Sequence, residues 1–574
     1  MSFITRQNIR GHIYLYEITS YRDKNKNNQP RQIRTRIGKV NDHGETIYTE
    51  EYIASQKLKG VIISNPPTEP EFSVNDIYKS TMLSHGLFHL FKSIGDKLQL
   101  TKILQTTFPD IWKEIFMLSC YMAATNEPMM YCSDWISNSE SYDVKNGLSS
   151  QYISHLLLQM NIDSFNKFYS AWGKAHISEE YVAIDITSES SYSELIDAVE
   201  YGYNRDGESL PQVNQCMIVG EDNKLPIMQE LFSGSIKDVS TLSTILFKLK
   251  SLLGQDIQKL KITTDKGFYS RSNIDYLLNN DIDFLISLPF TSKLPEEILE
   301  KAKSQMNQLT DSIIVGSDVL IGKTIPVQWD AEHEIYANAY YNPLNATNKR
   351  IDIIEKYNEM RSIVSSKPKV YYDYILEDTL RQQLKKATDA EESKRLKEEL
   401  GKLNIDKSSI VYDINELKRF LEIRENEGTN QYEVLPNEKG IEELLKTSGW
   451  MIILTRRQTA PLESIKAYRD KDVVEKVFKR AKNNIDLNRL RVHGNAALQS
   501  KLFIAFISSI ILSYINNTMS KKGLYKKYTL TELMKKMASL KSLAIKGEKL
   551  IFPCTKEQRE IYNAFGVTLP ASNN

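Results

Sequence analysis

The sequence predicts an α/β fold in which one domain of alternating strands and helices is interrupted by an inserted segment. Strands and helices alternate from Tyr181 to Leu288, and this alternation follows a long stretch with helical periodicity. A charged segment with strand-like pieces, 291–455, then separates the alternating region from further helices. The chain has 574 residues, several times the about 100 to 200 residues of one domain, so a large core is available.

Composition excludes several classes of protein. Charged residues make up 26% of the chain and hydrophobic residues 41%, which argues against wholesale disorder. The formal net charge of +1 gives no overall sign of a nucleic-acid partner. The four cysteines are far apart and include no CxxC pair, so neither a zinc ribbon nor a disulfide framework is indicated. This cysteine usage fits a reducing, cytosolic setting.

The N-terminal 60 residues predict a β-hairpin arm. His12–Ile18 and Gln32–Ile37 alternate apolar and polar residues on either side of a polar tip. Side chains alternate along a strand, so Arg34 and Arg36 share one face. That face is either a solvated edge or an arm that contacts phosphates. Residues 61–178 follow as a region with helical spacing of apolar residues.

The alternating region has a recognisable order. Its strands are predicted at Tyr181–Thr187, Gln212–Val219, Ile227–Phe232, Lys261–Asp265 and Ile282–Leu288, with helices at Val239–Leu253 and from about Ser272. The order β-β-β-α-β-α-β is that of an RNase H-like fold, a mixed sheet with helices on its faces. We expect the first part of this domain at 179–290 and the second part at 456–518.

The remaining segments complete the expected organisation. The insertion, 291–455, predicts strands at Ser312–Leu320, Thr324–Trp329 and Ile335–Tyr341 before a helical hairpin. A helix is predicted from Ile465 through Lys482, and the apolar run Leu502–Ile515 is too short to span a bilayer and predicts a buried helix. Residues 519–574 predict a basic helical region, because Lys521–Lys549 holds nine lysines against two glutamates.

Three carboxylates lie where this fold would bring them together. Asp185 lies in the first strand, Asp265 ends the fourth, and Glu475 lies in the helix after the insertion. Such a hard-oxygen site suits Mg²⁺, and two ions about 3.5 to 4 Å apart can clamp both oxygens of a phosphodiester displacement. Each acid alone is weak evidence among 73 acidic residues, so the prediction depends on their joint placement.

The helix around Glu475 carries further polar groups at helical spacing. Tyr468, Lys471, Glu475 and Lys482 are separated by three, four and seven residues, which places them on nearly one side of a single helix. This arrangement suits a metal-bound phosphate. Alternatively, Lys471 and Glu475 form an ordinary i, i+4 surface pair.

Four segments resemble a known family: Ala183–Leu195, Tyr201–Asn214, Thr264–Ser270 and Tyr468–Lys482. They are similar to the DDE transposases of bacterial insertion sequences, in the branch with a Y-(2)-R-(3)-E-(6)-K signature and an insertion-bearing RNase H-like domain. The similarity is close over about 180–290 and 450–515. Two positions depart from the family pattern: Lys471 replaces the signature arginine, and Asp265-Lys266-Gly267 replaces aspartate-arginine-glycine.

The resemblance implies phosphoryl transfer on DNA. Asp185, Asp265 and Glu475 would be the catalytic residues and the ligands of two Mg²⁺ ions, with Mn²⁺ as an alternative ion. The enzyme would cleave at the ends of the element and join the 3′-hydroxyls to target DNA. Tyr468, Lys471, Lys482 and Arg205 would bind DNA. Trp329, in the insertion, would stack on a base turned out near the cut.

The resemblance also implies the partners. They are double-stranded DNA, as terminal inverted repeats and as target, and a second copy of the chain, with no membrane and no small-molecule cofactor. The helical region at 61–178 is expected to bind DNA, and the expected location is the bacterial cytoplasm at the nucleoid. Two alternatives stay open: a non-catalytic DNA-binding regulator, and an RNase H-like nuclease without strand transfer.

Overall fold

The structure, a computed structural model of the chain, describes residues 2–25, 28–41, 44–65, 74–177, 181–205, 207, 209–254, 260–403, 405–426, 431–485, 490–545 and 547–571. The chain divides into two compact units. One comprises Met1–Thr81 with Leu543–Lys549, and the other comprises Met82–Ser542 with Leu550–Asn574. The domain boundaries expected from the sequence stay predictions.

The first unit contains an antiparallel sheet in the order β1-β2-β3-β4. Its elements are β1 (Ser2–Ile9), β2 (His12–Asp23), β3 (Gln29–Val40), β4 (Thr46–Tyr48), α1 (Glu50–Leu58) and α2 (Val74–Tyr78). The predicted hairpin is present as β2 and β3, and both strands are longer than predicted. The guanidinium of Arg34 lies 3.9 Å from the ring centre of Tyr16, and that of Arg36 lies 4.4 Å from the ring centre of Tyr14. The basic face of the hairpin is therefore also aromatic.

A helical layer follows, as the apolar spacing predicts. Its elements are β5 (Thr81–Ser84), α3 (Gly86–Lys97), α4 (Leu100–Thr107), α5 (Trp112–Thr125), α6 (Cys132–Asn138), α7 (Ser150–Gln159) and α8 (Ile162–His176). Helix α8 illustrates why these segments are helical. The side chain of Asn161 accepts a hydrogen bond from the Ser164 N–H and caps the helix, and Phe165, Phe168 and Trp172 recur at intervals of three and four residues on the buried face.

The region from Tyr181 to Ser287 has the predicted order of strands and helices. Its elements are β6 (Tyr181–Ser190), β7 (Gln212–Gly220), β8 (Pro226–Ser233), α9 (Leu242–Leu253), β9 (Lys261–Thr264), α10 (Arg271–Asn279) and β10 (Asp283–Ser287). Strands β6, β7 and β8 form an antiparallel meander, whereas β9 is parallel to both β6 and β10. The region is thus a mixed sheet.

The inserted segment contributes both strands and helices. Its elements are α11 (Lys293–Gln305), β11 (Ser312–Val315), β12 (Asp318–Gln328), β13 (Glu334–Tyr341), α12 (Pro343–Ser366), α13 (Pro368–Lys386), α14 (Ala390–Lys402), α15 (Ile414–Phe420), β14 (Leu421–Asn426), β15 (Gln431–Pro436), α16 (Glu438–Lys446) and β16 (Trp450–Thr455). The strand predicted over Ser312–Leu320 is wrong, because Gly316 turns the chain with a φ of +64°. Strand β12 instead continues through both predicted pieces.

The inserted strands extend the sheet that β6 to β10 form. Within the described residues the order of this nine-stranded central sheet is β11-β12-β13-β16-β10-β9-β6-β7-β8. Strand β16 is antiparallel to β10 on one side and to β13 on the other. The inserted helices α12, α13, α15 and α16, with β14 and β15, pack around a separate core that includes Tyr371, Leu417 and Phe420.

The C-terminal part consists of α17 (Pro461–Asp470), α18 (Asp472–Asn484), α19 (Asn495–Lys521), α20 (Leu530–Ala538), β17 (Lys541–Ile545), β18 (Glu548–Ile551) and α21 (Lys556–Phe565). The single helix predicted from Ile465 through Lys482 is wrong, since it divides at Lys471. The expected C-terminal helical region contains α20 and α21, and it also contains the short strands β17 and β18.

Helix α19 contains the long apolar run of the sequence. Among the described residues it is the helix long and apolar enough to cross a membrane, and 83% of its most apolar window is buried inside the protein. Phe503, Phe506 and Ile510 lie in the main core. The prediction of a buried core helix at Leu502–Ile515 is confirmed.

Candidate active site

Asp185 and Asp265 lie on neighbouring strands at the same height. Ile184 of β6 pairs with Thr264 of β9 in the parallel register, and each aspartate is the next residue in its chain. Since side chains alternate along a strand, the two carboxylates project from the same face of the central sheet. Asp185 Oδ1 accepts a hydrogen bond from the Ile186 N–H at 2.8 Å, and Asp265 Oδ1 accepts one from the Gly267 N–H at 2.8 Å.

The pKa of Asp185 reflects its burial and the nearby carboxylate of Asp265. The pKa of Asp185 is raised to about 6: burial is the largest cause and the neighbouring carboxylate of Asp265 contributes, whereas the cations of Lys471 and Arg205 act in the opposite direction. The pair of acids therefore carries unfavourable negative charge in a partly closed environment. Additional positive charge at this position would be favourable.

Helix α18 brings the third predicted acid to the same region. Val474, Val477 and Phe478 are buried where α18 packs against β6 and β7. Glu475 lies beside this apolar face in the first turn of the helix, where the helix dipole favours a negative charge. Its side chain is 59% exposed. Glu475 is thus held by its helix but remains accessible to solvent.

Lys471 is buried between the acids. It ends α17 and precedes α18, its side chain is 6% exposed, and its Nζ donates a hydrogen bond to Glu475 Oε1 at 3.2 Å. Burial lowers the pKa of Lys471, but the carboxylates of Asp185 and Glu475 outweigh that effect, and the pKa is raised overall. The ammonium is therefore charged and is the nearest counter-ion of the acids.

The inserted strands hold the helix pair in place. Arg469 of α17 donates hydrogen bonds to the Val315 carbonyl at 3.0 Å and to Asp318 Oδ2 at 2.6 Å. The Tyr340 hydroxyl, on β13, donates to the Pro461 carbonyl at 2.7 Å. These contacts anchor the helix that leads to Glu475 on the part of the sheet that the insertion supplies.

A cavity of about 680 Å³ opens beside the acids. Asp265, Glu475, Tyr468 and Lys471 line one side, and residues from the insertion, among them Lys349 and Trp450, also line it. Burial raises the pKa of Tyr468, so its phenol stays protonated and can donate a hydrogen bond. The cavity thus combines acids, cations and an aromatic ring.

In this conformation the three acids do not form a closed ligand set. Among the described residues, no group of three His, Cys, Asp or Glu side chains lies close enough to hold a metal ion. The physical reason lies in Glu475, whose carboxylate points into a solvent-exposed position and pairs with Lys471. The structure therefore brings Asp185 and Asp265 together and places Glu475 on the wall of the same cavity.

The other predicted DNA-binding residues have structural partners. Lys482 Nζ donates a hydrogen bond to the Ser188 carbonyl of β6 at 2.9 Å, which fastens the end of α18 to the sheet. Arg205 forms an ion pair with Asp238 and interacts electrostatically with Asp185. Lys482 and Arg205 therefore help to build the site, and their DNA contacts stay predictions.

The placement of Trp329 does not suit the stacking role expected for it. Its side chain is 5% exposed, its indole N–H donates to Asp275 Oδ1 at 2.6 Å, and the guanidinium of Arg271 lies 4.6 Å from its ring centre. A base needs an exposed ring face. Trp329 is a core residue in this structure.

Three residues near the acids were missed from the sequence. Trp450 and Lys349 line the cavity, and Asp238 holds Arg205. A Cβ atom on Gly267 would lie 3.0 Å from Asp265 Oδ1 and 3.2 Å from Asp238 Oδ2, so Asp238 also lies beside the second acid. The sequence could have identified Asp238 as a candidate, since it precedes a helix that follows a strand of the meander. No sequence pattern indicates Trp450 or Lys349.

A family model for the transposase DDE domain matches residues 179–511 of the chain. The chain belongs to the DDE transposase family. In this DDE transposase the match contains all eight predicted site residues: Asp185, Arg205, Asp265, Trp329, Tyr468, Lys471, Glu475 and Lys482. The family assignment made from the sequence is confirmed.

Two further comparisons concern this DDE transposase. Among curated proteins, none matches it. One solved structure that is similar to it is a cryo-EM structure of a piggyBac transposase synaptic complex with hairpin DNA. The two share 11% identity with a TM-score of 0.31, and the alignment covers 85% of this chain and 74% of that chain.

Proposed function

We propose that this protein is a DNA transposase that binds terminal inverted repeats, cleaves DNA at the ends of its element and joins the 3′-hydroxyl ends to target DNA. The observation that carries the proposal is that Asp185 and Asp265 directly follow the paired residues Ile184 and Thr264 of adjacent parallel strands, beside a cavity that Asp265 and Glu475 line. Convergent acids next to an accessible cavity are what phosphoryl transfer requires.

The residues of the site fit divalent cations. Asp185, Asp265 and Glu475 offer the hard carboxylate oxygens that Mg²⁺ and Mn²⁺ prefer, and the raised pKa of Asp185 marks a place where positive charge is favourable. Bound cations would stabilise charge on the attacking and leaving oxygens of the phosphodiester. The two aspartates would be held ready by the hydrogen bonds from Ile186 and Gly267.

The chain's own groups would position the DNA. Lys349, exposed on α12, and Lys471 would bind backbone phosphates along the cavity, and the Tyr468 phenol would donate a hydrogen bond to one of them. Trp450 replaces Trp329 as the candidate for stacking on a base, because it is partly exposed and lines the same cavity. Arg34 and Arg36 would contact phosphates through the N-terminal hairpin.

The strand order supports an RNase H-like assignment of the catalytic region. Strands β8-β7-β6-β9-β10 are neighbours in a mixed sheet, and their order along the chain, β-β-β-α-β-α-β, is the one expected for that fold. We further place the protein in the branch with the Y-(2)-R-(3)-E-(6)-K signature, which Tyr468, Lys471, Glu475 and Lys482 match with one substitution. Two copies would hold the two ends of the element in the bacterial cytoplasm.

A cleavage assay on the DNA that flanks the gene tests the proposal. Asp185→Asn, Asp265→Asn and Glu475→Gln should each abolish Mg²⁺-dependent nicking and leave DNA binding largely intact. Glu398→Gln, at an exposed glutamate of α14, is the matched control and should cleave normally. Full cleavage by any of the three variants would remove that residue from the site. Binding without nicking by the wild type would favour a regulator, and nicking without joined products would favour a nuclease.

A further inference from the structure

Lys471 occupies a costly position for a lysine. Its side chain is almost fully buried, and a buried ammonium is unfavourable unless a partner compensates its charge. Its Nζ donates to Glu475 Oε1 at 3.2 Å and interacts electrostatically with Asp185. The carboxylates of the site are therefore what compensates the buried ammonium.

The same carboxylates are the proposed ligands of the divalent cations. An ammonium that is hydrogen-bonded to Glu475 uses an oxygen that a cation would need. The ammonium and the cation would also repel each other strongly, because both would lie beside the same carboxylate. The open ligand set is consistent with this conflict, because Glu475 Oε1 accepts a hydrogen bond from Lys471.

We propose that Lys471 and the divalent cations are mutually exclusive occupants of the acidic site. In the metal-free protein the Lys471 ammonium is the internal counter-ion of Asp185 and Glu475. When a cation binds, the ammonium leaves Glu475 and projects into the cavity, where it meets a DNA phosphate. Lys471 is thus a residue that couples cation binding to DNA binding, and this inference rests on the proposed metal site.

Binding of Mn²⁺ in the absence of DNA tests the exchange without reference to activity. Free Mn²⁺ is measured by electron paramagnetic resonance for the wild type, Lys471→Met and Lys471→Arg. Removing the competing charge should tighten Mn²⁺ binding by at least about tenfold, since a tenfold change corresponds to about 1.4 kcal/mol. Lys471→Arg should not bind more tightly than the wild type. Lys479→Met, at an exposed lysine of the same helix, is the matched control and should leave the affinity unchanged.

A second measurement uses the wild type alone and does not depend on the folding of a variant. Acylation of lysines by an amine-reactive ester, quantified by peptide mass spectrometry, should increase severalfold at Lys471 when Mn²⁺ is added and stay constant at Lys479. Unchanged labelling of Lys471 on saturation with Mn²⁺ would overturn the exchange.

The outcomes separate this inference from the proposed function. Mn²⁺ binding by the wild type that Asp185→Asn abolishes, with equal or weaker affinity in Lys471→Met, would retain the metal site and refute the exchange. Absence of binding in both the wild type and Lys471→Met would refute the metal site, and with it the inference. Tighter binding in Lys471→Met together with metal-dependent labelling would establish the exchange.

Discussion

Replacing Asp185 by Asn should stabilise the folded protein at alkaline pH. The pKa of Asp185 is raised from 3.8 to about 6, mainly by burial. A carboxyl with a raised pKa contributes stability that is fully present below its unfolded pKa and is lost as the pH rises through its folded pKa. The ionised wild-type side chain therefore destabilises the native state above about pH 6, and asparagine removes that cost.

The shift sets the size of the effect. Asn at this position should raise the free energy of unfolding by about 3 kcal/mol at pH 8 and by about 1 kcal/mol at pH 4.5, as an order of magnitude from a shift of about two pKa units. The measurement is thermal unfolding in the presence of EDTA, at both pH values, for the wild type and Asp185→Asn. Asp110→Asn controls for the loss of a carboxylate on the surface.

A specific result would refute this reasoning. If Asp185→Asn is no more stable than the wild type at pH 8, burial and Asp265 do not destabilise the ionised carboxylate in the folded protein. If its gain in stability is the same at pH 8 and pH 4.5, the change comes from packing or hydrogen bonding and not from ionisation. A gain that fades with acidification is the expected outcome, and it would mean that the protein gives up stability for a charged active site.

The remaining predictions concern residues around the cavity. Gly267→Ala should reduce cleavage by at least about tenfold while leaving the melting temperature nearly unchanged. The added Cβ would lie 3.0 Å from Asp265 Oδ1, and the carboxylate would have to move to make room for it. Normal cleavage would mean that the loop around Gly267 moves instead of the carboxylate. Trp329→Ala should lower the free energy of unfolding by about 3 to 5 kcal/mol, as for a buried aromatic, whereas Trp450→Ala should impair cleavage with a smaller loss of stability. Thermal melts and nicking rates on the same preparations check both tryptophan variants. If the two variants lose stability and cleavage to the same extent, the different roles assigned to Trp329 and Trp450 are contradicted.

Local pattern was sufficient to predict much of the catalytic region. The expected fold placed Asp185 and Asp265 on adjacent strands, and in the structure β6 pairs with β9 directly before the two acids. The same holds for the N-terminal hairpin and for the buried helix α19, whose signals lie within their own residues. Periodicity reports on local structure, and it is reliable where local structure decides the outcome.

The errors arise where distant segments decide the structure. The break at Lys471 has no proline or glycine to mark it, and it follows from the anchoring of α17 on β11 to β13. The burial of Trp329 depends on Arg271 and Asp275, which precede it by more than fifty residues. Likewise, the position of Trp450 follows from the pairing of β16 with β13, where Trp450 lies opposite Tyr341, and a linear pattern does not reveal this pairing.

The position of β16 in the central sheet also determines when the site can form. This strand closes the gap between β10 and β13, yet it is synthesised more than 160 residues after β10, since Ser287 pairs with Ile453. A chain emerging from the ribosome can pair β6, β7, β8, β9 and β10 early. The pairing of β16 with β10 is long-range and slow, and it must wait until the whole inserted segment has been synthesised. Glu475 lies beyond β16, so the third acid reaches the first two only after the sheet is complete. Incomplete chains therefore expose two of the acids without a working active site.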